Sequence, residues 1–162
     1  MRIGVVGDTH DRMAHVERIV SLFREAAIEA LVHTGDITRP DVLERLAELE
    51  VPMAGVYGNN DRHTRDVLKP LADRVSMQLV DPPLHLEWAD RRILVVHDPE
   101  ALPSSLPSPI DLVLHGHTHR HRHETRDGTL FFNPGECAGW LEGRNAVGVV
   151  DLEVLEAELL RF

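Results

Sequence analysis

Ile3, Val5 and Val6 form a short apolar run that reads as a buried strand. Val16, Ile19, Val20 and Phe23 then recur at helical spacing, and Ala26 and Ala27 extend the same face. Leu31 and Val32 make a second strand. Val42, Leu43, Leu46 and Leu49 make a second helix, introduced by Pro40 and Asp41, and Val51 to Tyr57 a third strand. Strand, helix, strand, helix, strand in this order predicts a parallel sheet.

The second half of the chain is strand-rich. Met77 to Val80, Leu84 to Trp88, Ile93 to Val96 and Leu112 to Leu114 are short runs set apart by turn residues such as Asp81-Pro82-Pro83. Glu124 to Arg126 and Leu130 to Phe132 flank Asp127-Gly128, a strong hairpin signal, and Ala146 to Leu152 can pair with Leu155 to Leu160. This half is expected to be partly antiparallel. Four prolines between Pro99 and Pro109 mark an extended surface loop. A two-sheet α/β core with helices outside accommodates all of these elements, and residues 1–162 are expected to form a single domain.

Composition narrows the function. With 17 Lys+Arg against 27 Asp+Glu the net charge is −10, which argues against a dedicated nucleic-acid binder. The single cysteine, Cys137, excludes a disulfide scaffold and fits a reducing compartment. The apolar start is stopped at Gly7-Asp8, too early for a signal peptide, and no run is long enough to span a membrane, so a cytoplasmic location is expected. A homo-oligomer is compatible with the sequence. The 11 histidines equal the glycines in number, and where they fall decides the reading.

The chemistry follows the strands: Gly7-Asp8-Thr9-His10, Thr34-Gly35-Asp36, Gly58-Asn59-Asn60-Asp61, His97, and His115-Gly116-His117-Thr118-His119. Ligands bind at the carboxyl ends of strands in sheets of this type, so these segments converge on one crevice. They deliver carboxylate, imidazole and carboxamide, with no Lys or Arg among them. Such a cluster is unfavourable unless something positive sits within it, and a metal site resolves the conflict. The glycines fit tight turns that need positive φ or close backbone approach. Imidazole mixed with carboxylate favours Mn, Fe, Zn, Ni or Co over Mg or Ca, and the number of candidate ligands suits two ions sharing one carboxylate.

These residues, in this order, resemble the calcineurin-like metallophosphoesterases, and within them the small single-domain phosphodiesterases related to the retromer scaffold subunit. The shared pattern is Gly-Asp-x-His, Gly-Asp, Gly-Asn, a lone His after a strand, and Gly-His-x-His, with Asn133-Pro134-Gly135 similar to the family's closing turn. The resemblance implies a four-layer αββα sandwich with mixed sheets and a parallel βαβαβ start. It further implies that Asp8, His10 and His119 bind one metal ion, that Asn59, His97 and His117 bind a second, and that Asp36 bridges them. The cofactors are then two divalent transition-metal ions, manganese first among the candidates. A hydroxide shared between the ions would attack the phosphorus of a small phosphoester in line.

Two departures from the family pattern carry consequences. Asn60 stands where many relatives have a histidine that protonates the leaving group, and a carboxamide cannot act as a general acid. A preference for esters with good leaving groups follows, unless Asp61 or His63 supplies the proton. Asn60, Asp61 and His10 are accordingly the candidate catalytic residues, His10 doubling as a ligand. Asp98 follows His97 where relatives carry glycine, which alters the pocket wall.

Duller roles are assigned to the other histidines. His115, His121 and His123 read as the face of an exposed strand, and His15, His33 and His85 as packing or surface residues. Nothing in the sequence gives Cys137 a catalytic partner. The rival to a metal-dependent phosphodiesterase is a protein-interaction scaffold of the same fold. A nuclease ranks lower because of the charge.

Overall fold

The computed structural model describes residues 1–103, 105–106 and 109–162. The strands are β1 Arg2–Val6, β2 Ala30–His33, β3 Met53–Val56, β4 Met77–Val80, β5 Leu84–Trp88, β6 Arg91–Val95, β7 Leu112–Leu114, β8 Arg122–Arg126, β9 Thr129–Asn133, β10 Ala146–Asp151 and β11 Glu156–Arg161. The helices are α1 Met13–Glu25, α2 Pro40–Ala47 and α3 Arg65–Arg74. One sheet runs β11-β10-β1-β2-β3-β4 and the other β5-β6-β7-β9-β8. β1 to β4 pair in parallel and β6, β7 and β9 do likewise, while β10, β11, β5 and β8 add antiparallel edges.

Strand alternation divides the apolar residues between two cores. Ile3, Val5, Ala30, Val32, Ala54 and Val56 point one way and meet Ile93, Val95, Leu112, Leu114, Leu130 and Phe132 of the second sheet. Val6, Leu31, Met53 and Leu79 point the other way, against Val16, Ile19, Phe23, Leu43, Leu46, Leu68 and Leu71 of the three helices. Period-two alternation in strands and 3.6-residue periodicity in helices thus place each side chain in the layer its spacing predicts.

The mixed sheets and the parallel βαβαβ start agree with expectation, and two features differ in detail. First, α3 carries no strong helical signal in the sequence: Pro70 lies inside it, Val67 is exposed, and Leu68, Leu71 and Ala72 alone are buried. Second, the outer layer on the second sheet is a 3₁₀ turn, Pro99–Ala101, with neighbouring loop residues rather than an α-helix. Leu102, Leu106 and Ile110 pack there on Leu94, Val96 and Val113. Repeated proline blocks helix continuation in this stretch. Part of the loop expected between Pro99 and Pro109, at 104, 107 and 108, lies outside the described residues.

Candidate metal centre

The segments that follow β1, β2, β3, β6 and β7 meet at one edge of the sandwich. Backbone bonds zip them together. Asp8 N–H donates to the Gly35 carbonyl at 2.8 Å, His10 N–H to Asp36 at 3.1 Å, and Gly116 N–H to His97 at 3.0 Å. Two further bonds cross between the sheets. His117 N–H donates to both Asp8 carboxylate oxygens, at 3.1 and 3.0 Å, and His97 Nδ1 lies 2.9 Å from the Thr34 carbonyl oxygen. A carbonyl can only accept, so Nδ1 of His97 carries the proton and Nε2 is left to face the site.

That Nε2 lies 2.9 Å from Asn59 Oδ1, 3.2 Å from His117 Nδ1 and 3.5 Å from Asp36 Oδ2. At the other end, His119 Nε2 lies 3.5 Å from Asp8 Oδ1, and His10 Nε2 lies 3.9 Å from Asp36 Oδ2. Ligand-capable atoms of Asp8, His10 and His119 form one compact group, and those of Asp8, Asp36 and His97 a second. Asp8 is common to both groups, while Asp36 faces His10 as well as His97. Asn59 and His117 join the second group through His97.

Electrostatics fits a site built for cations. Burial pushes the Asp8 carboxyl up to about 6, against the pull of His97 and His119. Burial would also raise Asp36, but without a metal a protonated His97 beside it, with the amides of Asn60, holds it well below the usual carboxylate range. Burial lowers His10, keeping its imidazole neutral as a metal ligand requires. His10 Nε2 is buried with no hydrogen-bond partner, a cost that a bound ion removes. Cys137 is no part of this set, since its buried thiol donates to the Gly7 carbonyl at 2.8 Å. Imidazole, carboxylate and carboxamide without thiolate fit divalent transition ions.

The backbone is strained at these positions. Asp8, His10, Asp36, His117 and His119 take φ of 54°, 46°, 57°, 64° and 52°, the left-handed region that non-glycine residues avoid. Each costs on the order of 1 kcal/mol or more, and such strain clusters at functional sites. The glycines mostly serve close approach instead. A Cβ on Gly58 would lie 2.1 Å from Asp36 Oδ1, and one on Gly116 would lie 2.5 Å from Asp8 Oδ2.

The candidate catalytic residues separate into different roles. Asn60 donates Nδ2 to Asp36 Oδ2 at 2.7 Å and its backbone N–H to Oδ1 at 2.9 Å, so its carboxamide is committed to that carboxylate. Asp61 is fully buried and accepts the N–H groups of Gly58, Asp36 and Thr38 at 2.7, 3.0 and 2.8 Å. It fastens the loops after β2 and β3 to each other. His63 is exposed on the surface.

Other residues take parts that the sequence did not announce. Glu136 is buried and holds His119 Nδ1 with Oε2, while its Oε1 accepts the Trp140 N–H at 2.9 Å. The Trp140 indole stacks on His10 at 4.4 Å between centroids and on His119 at 4.7 Å, the latter within 9° of parallel. Asn133 donates to the Gly116 carbonyl at 3.1 Å and to Thr118 Oγ1 at 3.2 Å, bracing the loop that carries His117 and His119. His115 is buried, not exposed as its alternation suggested, because the chain turns inward after β7. Neither Glu136 nor Trp140 belongs to a periodic pattern. Only their place in the turn after Asn133-Pro134-Gly135 could have drawn notice.

Comparison with known proteins bears on the fold and the family. Residues 1–154 match the calcineurin-like phosphoesterase superfamily domain. The chain is 30% identical to phosphodiesterase MJ0936 of Methanocaldococcus jannaschii, over 96% of each chain. A solved archaeal phosphodiesterase superposes over 100% of both chains with a TM-score of 0.85 at 27% identity. A Vps29 variant from Entamoeba histolytica shares the fold at 16% identity, with a TM-score of 0.68 over 100% of this chain and 99% of its own. The match over residues 1–154 and the 30% identity over 96% of the chain show that the chain, with its candidate ligands at the strand ends, belongs to the calcineurin-like phosphoesterase superfamily.

Proposed function

We propose that this chain is a dinuclear metal-dependent phosphodiesterase acting on small phosphodiesters with good leaving groups. Asp8, His10 and His119 would hold one ion, Asn59, His97 and His117 the other, and Asp36 would serve both. Manganese is the first candidate and Fe, Zn, Ni and Co follow. Bound divalent ions supply Lewis acidity toward the phosphoryl oxygens and lower the pKa of water.

The chain's own residues do the positioning. Thr34 fixes the His97 tautomer, Glu136 orients His119, and Asn60 pins both oxygens of Asp36. Asn60 and Asp61 spend their polar atoms on the protein itself, which supports the preference for leaving groups that depart unprotonated. Residues 1–162 act as one domain, in the cytoplasm, where the buried Cys137 stays reduced. Among the described residues no helix is long and apolar enough to cross a membrane.

The observation that carries the reading is the pair of adjoining ligand groups, with Asp36 Oδ2 3.9 Å from His10 Nε2 in one and 3.5 Å from His97 Nε2 in the other, beside an imidazole nitrogen left without a partner. The test is metal analysis with a manganese-supplemented assay on bis(4-nitrophenyl) phosphate and an alkyl diester, using wild type and Asp36→Asn. Wild type should bind metal and prefer the aryl ester, and the variant should lose about 100-fold or more in turnover. Equal turnover by both proteins removes the role of Asp36, and comparable rates on both esters remove the leaving-group preference. A metal-loaded wild type that turns over neither ester favours the scaffold reading.

A further inference from the structure

Trp140 is the feature of the site that the ligand set leaves unexplained. Aromatic residues make up only 4% of this chain, yet this indole lies flat against His119 and stacks at a 29° tilt on His10, the two imidazoles of the first ligand group. Its backbone is tied to Glu136, the same carboxylate that orients His119, so the stack is fixed from below. Even so, 57% of Trp140 is exposed, and the adjoining Leu141 is 43% exposed. A large apolar surface anchored beside a polar centre, and left open to solvent, is the arrangement of a binding wall.

We propose that Trp140 forms a subsite for an aromatic group, aryl or nucleobase, carried on the part of the phosphodiester that stays bound to phosphorus. The inference rests on the phosphodiesterase reading above and extends it to the substrate. The assignment to the retained group follows from polarity. Negative charge develops on the departing oxygen, which calls for polar, cationic surroundings such as the cavity at the His97 end offers, where Arg62 and Arg65 line the wall beside Asn59. An indole offers no stabilisation there, but stacks well on a neutral ring.

The test compares bis(4-nitrophenyl) phosphate with methyl 4-nitrophenyl phosphate. Both release the same nitrophenolate and differ only in the retained group. The ratio of their kcat/KM values should fall about ten-fold in Trp140→Ala and be largely kept in Trp140→Phe. Loss of rate on both esters in equal proportion means that Trp140 acts only through His10 and His119. That outcome overturns the subsite and leaves the phosphodiesterase reading standing.

A binding measurement decides the matter independently of turnover. In metal-loaded Trp88→Phe protein Trp140 is the one remaining indole, and phenylphosphonate should change its fluorescence saturably where methylphosphonate does not. No change with phenylphosphonate, or the same change with both, overturns the proposal even if the protein hydrolyses neither ester.

Discussion

Glu136 controls His119 at one remove. By holding Nδ1 it fixes the ring and leaves Nε2 available to the proposed ion, the way buried carboxylates orient ligating imidazoles. Glu136→Gln keeps the shape but loses the charge, and metal affinity and activity should fall together by about 10- to 100-fold. Titrating manganese into variant and wild type by calorimetry checks this, and equal affinities would show that Glu136 only anchors Trp140. The proposed ligands stand out in the sequence because each follows a strand, where a carboxylate or imidazole has few other tasks. Glu136 and Trp140 could not, since their significance lies in contacts with residues far away in the chain.

Helices and strands obey the same logic at the next scale. The strands were legible because alternation and turn residues mark both their extent and their ends. α3 was not, because it is held by Leu68, Leu71 and Ala72 against α2 and β4 despite a proline in its body. Pro70 is exposed, cannot donate to the Asp66 carbonyl, and strains the turn before it. Pro70→Ala should therefore raise stability by about 1 kcal/mol or more, seen as a higher urea midpoint, with hydrolysis unchanged. An unchanged or lower midpoint would mean that the proline's restriction of the unfolded chain outweighs the missing bond. The outer cover of the second sheet was equally hidden, because a proline-rich segment shows no period that would reveal its packing on Val113.

For the molecule as a whole, buried imidazoles tie stability to pH. His33 is completely buried, with Nδ1 accepting the Gly35 N–H at 3.1 Å and Nε2 lying 3.2 Å from Thr9 Oγ1. Burial pushes its pKa down to about 3, outweighing the pull of Asp36, and His97 and His10 act in the same direction as burial. An unfolded chain protonates this ring near pH 6.5. Between the two values the unfolded state binds more protons, so stability declines as pH falls, by up to about 1.4 kcal/mol per unit for this group. Denaturant midpoints at pH 7.5 and 5 should drop less for His33→Gln than for wild type, and an equal drop in both contradicts the assignment. The left-handed turns at Asp8, His10, Asp36, His117 and His119 have a consequence for descent. Exchanging these residues for asparagine eases the left-handed turns and, at the two aspartates, removes buried charge while keeping an oxygen to accept the His117 and Asn60 N–H groups. A lineage released from hydrolysis could therefore shed its chemistry while its architecture grew sturdier, whereas recovering it would demand several costly changes at once.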